Sequence, residues 1–363
     1  MNALTQEIAS IIAQEGPISV ERYMQLCLAH PQHGYYMTRD PLGAAGDFIT
    51  SPEISQMFGE LLGLWAAETW ALCGAPQPAR LVELGPGRGT LMADALRAAR
   101  VVKPFYESLQ ATLVETSPAL IEAQRAMLAD MQRPLDWKNN VEDLPHAPTI
   151  VLANEFFDAL PVRQYVKTSQ GWRERQVGLS GDGAFVFGGA PQVEPYLNAE
   201  APDGAIIEVG AIGQRIMYTL ATRIVQYGGA LLVIDYGHEA TSTGETLQAM
   251  RAHRYADPLS EAGECDLTTH VDFAGLARAA KSVGAQVHGP VSQGFFLRQL
   301  GIERRADALA RQASADQAKD IATALHRLTD ETQPTDMGRL FRVMAVTRKG
   351  APQLPGFATG ASA

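Results

Sequence analysis

Apolar residues recur at helical spacing over residues 4–15, where Leu4, Ile8, Ile11 and Ile12 share one face. Gly16-Pro17 ends that helix. Ser19 is placed to cap a second helix, whose apolar side is Tyr23, Met24 and Leu26–Leu28. The stretch 30–52 is rich in Gly, Pro and Asp and reads as loop, and a third helix is expected from about Glu53 to Cys73. After Pro76 and Pro78 the texture changes. Short apolar runs at 80–84, 110–115, 149–153, 205–209 and 230–235 read as strands. They alternate with helical stretches at 90–99, 117–131, 210–226 and 271–283. This alternation predicts an α/β fold with a mostly parallel sheet covered on both faces.

The pattern divides the chain into a helical N-terminal extension (1–75), a core (76–348) and a disordered tail (349–363). Two insertions interrupt the core. Residues of about 162–204 carry strand–turn–strand signals, with turns at Ser169–Gly171 and Gly181–Gly183. Residues of about 239–300 are polar at first and then helical. A helix over 303–330 and a strand over 339–348 complete the core.

Composition narrows the function. With 40 acidic against 30 basic residues, and no basic stripe, the chain is a poor candidate for binding nucleic acid. Cys27, Cys73 and Cys265 are far apart, so neither a disulfide framework nor a cysteine metal site is expected. The first residues lack a secretory pattern, and no apolar run approaches the roughly 20 residues of a membrane helix. These features predict a soluble cytoplasmic protein, or a mitochondrial one in a eukaryote. The sequence carries no clear signal for a homodimer.

The sharpest motif is LVELGPGRGTLMADAL (81–96). A strand carrying Glu83 near its end leads into Gly85, Gly87 and Gly89, and an amphipathic helix follows from Thr90. Glycines at alternate positions let the backbone turn sharply and approach a ligand. The dinucleotide spacing G-x-G-x-x-G is absent, and Thr90-Leu91 after Gly89 excludes a Walker A loop. The pattern suits S-adenosylmethionine better than NAD, with Glu115 at the next strand end available to the ribose hydroxyls. Asp143, before the third strand, is a candidate for the adenine amino group.

The second motif is IVLANEFFDALPVRQY (150–165), where Asn154, Glu155 and Asp158 follow a strand end and would face the transferable methyl group. A guanidinium stays protonated in water, and carboxylates grip it bidentately. Glu155 and Asp158 are the residue types for that work. His238, His253 and His270 are candidate general bases, His238 foremost because it ends a strand neighbouring the second motif.

With these residues in view, the chain resembles the MidA-like methyltransferases over about residues 5–348. The markers are HGYY (33–36), GDFITSPEISQMFGE (46–60), VELGPGRGTLMADAL (82–96) and NEFFDALPVRQ (154–164). LLVIDYGH (231–238), GECDLTTHVDF (263–273), QGFFLRQLGI (293–302) and MGRLFRVMAV (337–346) complete them. The chain departs from the family pattern at Glu208-Val209-Gly210-Ala211, where an acid–Ile–Ser–Pro-like strand end is expected.

The resemblance implies a class I, Rossmann-like methyltransferase core that uses S-adenosylmethionine. It implies methylation of an arginine on a protein substrate, the 49 kDa-type subunit of respiratory complex I in the mitochondrial relative. It assigns Gly85, Gly87, Gly89 and Glu115 to the cofactor, and Asn154, Glu155 and Asp158 to the substrate side. Asp47, Phe48 and Ser51 are expected to fold over the cofactor and exclude water. Three alternatives remain: a methyltransferase of another protein or a small molecule, a non-catalytic assembly factor with a vestigial site, and an NAD-dependent oxidoreductase.

Overall fold

The computed structural model of the chain describes residues 2–38, 50–131, 133–251 and 253–358. Its central sheet has seven strands, numbered in chain order. They are β1 Arg80–Leu84, β2 Gln110–Val114, β3 Leu135–Lys138, β4 Thr149–Asn154, β5 Gly229–His238, β6 Ala285–Ser292 and β7 Phe341–Arg348. Their order across the sheet is β3-β2-β1-β4-β5-β7-β6, with Val271–Asp272 added beside the end of β5. Strands β1 to β5 are parallel, and β7 enters antiparallel between β5 and β6. Strand order reverses between β1 and β4, and in open α/β sheets the crevice at such a point takes the ligand.

Both faces of the sheet are buried. Leu81, Leu113, Ile150, Leu152 and Leu232 pack into one core with helices Gln56–Leu72 and Thr90–Ala99. Val82, Leu84, Val151, Ala153 and Val233 pack into another with helices Ala211–Tyr227 and Phe273–Ser282. Neighbouring residues serve opposite layers, so these strands read as unbroken apolar runs. Gly63 sits where a Cβ would stand 2.4 Å from the Ala95 carbonyl oxygen. The helices Gln56–Leu72 and Thr90–Ala99 therefore meet backbone to backbone, which holds the second of them where it leaves the glycine loop.

Several expectations need correction. Segment 205–209 does not join the parallel sheet: Ile206–Val209 pairs antiparallel with Arg163–Thr168. These two strands, Gly171–Leu179, Phe185–Val193 and Ile18–Ser19 form a separate five-stranded sheet. A four-residue apolar run carries no record of its pairing partner, since register and partner are settled by what it packs on. Segment 239–300 is not one insertion, because Phe273–Ser282 covers the core sheet and β6 is part of it. The first 75 residues are not one unit either. Leu4, Ile8, Val20 and Met24 pack with Val177 of the five-stranded sheet, whereas helix Gln56–Leu72 belongs to the core layer.

The tail, expected to be disordered, is ordered through residue 358. Leu354 and Phe357 are buried in the core, and Trp65 donates its indole N–H to the Pro355 carbonyl at 3.1 Å. Burial of one such aromatic side chain stabilises a fold by about 1.5–3 kcal/mol, enough to order a short segment that composition alone would leave loose.

Candidate active site

Beyond the ends of β1, β2 and β4 lies a cleft of about 530 Å³. Glu83, Gly85, Gly87 and Glu115 line one side, and Asn154, Glu155 and Asp158 the other. Asp266 and Thr268, from the segment after β5, and Tyr36, from the N-terminal helices, complete the wall.

Gly85, Gly87 and Gly89 all adopt left-handed backbone, with φ of 58°, 54° and 88°. Residues with a Cβ rarely take up such a run, which explains the alternating glycines. The loop also touches the second motif: a Cβ on Gly85 would stand 2.9 Å from the Phe156 ring. Glu115 Oε1 accepts the Thr116 and Ser117 N–H groups at 2.7 and 2.9 Å. The Gln124 amide donates to Glu115 Oε2 at 3.3 Å and to the Gly87 carbonyl at 2.7 Å, and accepts the Trp137 indole N–H at 2.9 Å. Gln124, wholly buried, thus ties the glycine loop to the second strand end.

Glu83 is 3% exposed and its Oε2 has no partner among the described residues. Burial pushes its pKa well above the ordinary carboxylate range. Glu83 lines the cleft, and a buried carboxyl oxygen without a partner is a group that a bound ligand can satisfy. The cradle of side-chain-free backbone, the carboxylate of Glu115 and the unpaired oxygen of Glu83 fit S-adenosylmethionine.

On the other side, Glu155 itself has left-handed backbone, φ 47°, without being glycine. Strain of this kind is retained where the surroundings impose it, commonly at functional sites. Glu155 Oε1 accepts the Ser51 N–H at 2.9 Å and the Asn154 side-chain amide at 3.1 Å. Burial lifts the Glu155 pKa to about 7, and the Asp158 charge adds to the rise. Asp158 is 6% exposed, and burial raises its pKa to about 6 against the lowering effect of the Tyr236 hydroxyl. Tyr36 donates its hydroxyl to Asp266 Oδ1 at 2.8 Å.

Other residues chosen from the sequence fall elsewhere. His238 does not line this cleft: it borders a small recess with His270, Glu208 and Asp272. Strand β5 turns away past Tyr236 to pair with Val271–Asp272, and carries the histidine off with it. Asp143 is exposed on a single 3-10 turn, and Asn140 lines the cleft instead. Gly89 caps helix Thr90–Ala99 behind the lining residues. Ser51 meets Glu155 through its backbone N–H, on the wall that carries the second motif. Asp47 and Phe48 lie outside the described residues.

Glu208, at the departure from the family pattern, accepts hydrogen bonds from Gln164 (2.8 Å), Thr246 N–H (3.1 Å) and Leu247 N–H (3.2 Å). It binds inserted segments together and is not among the residues lining the cleft. The sequence did not single out Gln124 or Tyr36 as site residues, whereas Asp235 and Asp266 belong to the two clusters, 234–238 and 263–273, expected to border the site. Gln124 has no local signal, since a buried Gln looks like any helix-surface residue. Asp266 and Asp235 stood inside quoted motifs but far from the two loops in sequence. Among the described residues no group of three or more His, Cys, Asp or Glu could hold a metal ion, and no helix is long and apolar enough to cross a membrane.

Comparison with known proteins agrees with this geometry. Residues 61–291 match the family model described as "Putative S-adenosyl-L-methionine-dependent methyltransferase". The mitochondrial protein arginine methyltransferase NDUFAF7 of Danio rerio is 37% identical over 95% of this chain and 86% of its own. The human protein of the same name is 37% identical over 92% of this chain and 81% of its own. A Burkholderia thailandensis crystal structure with bound S-adenosyl-homocysteine superposes with a TM-score of 0.84. It is 28% identical, with 99% of this chain and 95% of that one covered. The glycine cradle, the sheet order and these matches agree, and the chain belongs to this family of S-adenosylmethionine-dependent methyltransferases.

Proposed function

We propose that this protein methylates an arginine side chain of a protein partner. The observation that carries the reading is the pair of carboxylates, half-buried Glu155 and buried Asp158, facing the same cleft as the glycine cradle. Gly85, Gly87, Glu83 and Glu115 would hold the cofactor. When bound, S-adenosylmethionine supplies an electrophilic methyl group on a positively charged sulfur. The chain's own work is to grip the guanidinium, aim one nitrogen and take up a proton.

Two carboxylates beside one guanidinium concentrate its positive charge on the nitrogens they touch and leave the remaining nitrogen the better nucleophile. As that nitrogen gains its fourth bond it sheds a proton. Glu155, with a pKa near 7, is suited to receive it at neutral pH. The partner implied by the family resemblance is the 49 kDa-type subunit of respiratory NADH dehydrogenase. The compartment proposed is the one in which that subunit is assembled: cytoplasm in a bacterium, mitochondrion in a eukaryote.

The test is to supply methyl-labelled S-adenosylmethionine with that subunit, then hydrolyse the protein and separate the amino acids. Label in methylarginine is the expected result. Label only in a metabolite would replace this reading with a small-molecule methyltransferase. Cofactor binding with no transfer to any acceptor would leave an assembly role.

The site also predicts a pH dependence. Only the ionised Glu155 grips a guanidinium, so kcat/KM should rise with pH through a limb near 7 and level off above it. In the free protein the sign for stability is opposite. A carboxyl raised above its ordinary 4.5 supports the fold below that value and loses the support as pH rises through about 7. Both curves can be measured on the same preparation, and a flat kcat/KM across neutral pH would count against Glu155 as the group that titrates.

A further inference from the structure

Asp235 is the most deeply buried carboxylate of the site region, with 0% exposure, and it does not line the cleft. It lies in β5, immediately before Tyr236. Its Oδ2 accepts three successive backbone N–H groups of the second motif: Phe156 at 3.2 Å, Phe157 at 2.9 Å and Asp158 at 3.3 Å. Its Oδ1 accepts the Tyr236 N–H at 3.0 Å. Three consecutive N–H groups converging on one oxygen form a concave anion-binding nest. Here the anion is supplied by the chain itself.

The nest begins one residue after Glu155, whose left-handed backbone cannot be held by local preference. On one side of that residue its own N–H donates to the Ile234 carbonyl at 2.8 Å. On the other side Asp235 holds the next three N–H groups. Beyond them, the Asp158 carbonyl accepts the Thr269 N–H at 3.0 Å. The turn that aims Glu155 and Asp158 into the cleft is thus clamped between two adjacent residues of β5. The two phenylalanines pack edge to face at 5.2 Å, with Phe157 going to the core and Phe156 turning to the glycine loop.

Burying a carboxylate is costly, the more so near two others. The charges of Asp158 and Glu155 add to the burial that raises the Asp235 pKa. Four N–H donors offset that cost. An apolar residue would serve the core better, so a buried acceptor with four N–H partners points to the loop it organises.

We infer that Asp235 is a positioning residue: it binds the backbone of residues 156–158 and so fixes the strained Glu155 and its neighbour Asp158 in the geometry that grips the substrate. It does not line the cleft that would hold substrate and cofactor. This inference rests on the proposed arginine methylation for its kinetic consequence, but its structural half stands without that reading.

The experiment compares Asp235→Ala, which removes every acceptor, with Asp235→Asn, which keeps one oxygen for the three N–H groups. Three readouts are taken: affinity for S-adenosylhomocysteine, kcat against KM for the arginine substrate, and hydrogen exchange of the peptide covering residues 154–161. Asp235→Ala is expected to bind S-adenosylhomocysteine within about 3-fold of the parent, while kcat falls about 100-fold or more, the scale on which misplaced reacting groups act. Asp235→Asn should recover about a tenth or more of the parent kcat, and exchange in 154–161 should quicken in the Ala variant alone or far more than in the Asn variant.

Unchanged exchange, or a kcat within about 3-fold in Asp235→Ala, overturns the inference. If Asp235→Ala does not fold, the parent protein decides. Among the described residues the Phe156 and Phe157 amides donate to Asp235 alone, so these two should exchange as slowly as those of β4. Exchange at the rate of an open loop overturns the clamp. Failure of arginine methylation in the parent, with the protected amides intact, removes the proposed function and leaves the clamp standing.

Discussion

Glu155→Gln is expected to bind S-adenosylhomocysteine as the parent does and to lose methyl transfer by about 100- to 1000-fold, the range for removing a positioned acid or base. That is roughly 3–4 kcal/mol on the barrier. The amide has nearly the size of the carboxylate, and its oxygen can still accept the Ser51 N–H that holds Glu155 at 2.9 Å. What disappears is the negative charge that grips a guanidinium and the group that takes its proton. The acidic limb near pH 7 should vanish with it if Glu155, whose pKa burial lifts to about 7, is the group behind that limb. Steady-state rates from about pH 6 to pH 9 check both points. Turnover within about 3-fold of the parent, with the limb in place, would remove Glu155 from the chemistry.

Gly87→Val should act at the other wall and give the complementary result: loss of cofactor binding with the fold retained. Gly87 has φ 54°, where a β-branched residue is a steric outlier, and lines the cleft. Valine would both fill the cradle and push the loop toward negative φ, drawing the Gly87 carbonyl away from the Gln124 amide 2.7 Å off. We expect affinity for S-adenosylhomocysteine to fall at least about 100-fold, or about 2.7 kcal/mol. The control is Gly181→Ala, on a turn of the five-stranded sheet where a Cβ would meet nothing within 4 Å. Calorimetric titration reads the loss, and thermal unfolding shows whether the fold survived. Parent-like binding by a folded Gly87→Val protein would mean that the cofactor lies elsewhere.

The two variants separate because the two motifs are separable in sequence, and this is where sequence reading succeeded. Strand β1, its glycines and the helix after them are local: a buried apolar run, a backbone that needs left-handed angles and an amphipathic repeat each declare themselves within about ten residues. The same holds for β4 and its Asn154-Glu155 end. Strand β6 stayed hidden because AQVHGPVS alternates only weakly and carries Gly289-Pro290 in its middle. β3 stayed hidden because LDWK is a short edge strand with partly exposed, polar positions.

What the sequence determined by itself was therefore the covalent and conformational chemistry: which residues can turn, which can be buried, and which can hold a charge. The tertiary structure decided which of the charges meet. His238, the candidate base, and Asp235, given no role by the sequence, lie three residues apart on β5, yet strand pairing sends the first to a separate recess and burial sets the second under the Glu155 turn. Tyr36 reaches Asp266 across 230 residues of chain, and Gln124 reaches Gly87 across 37. Encounters of that kind depend on how helices and strands stack, and stacking follows from the burial of whole faces rather than from any local run of residues.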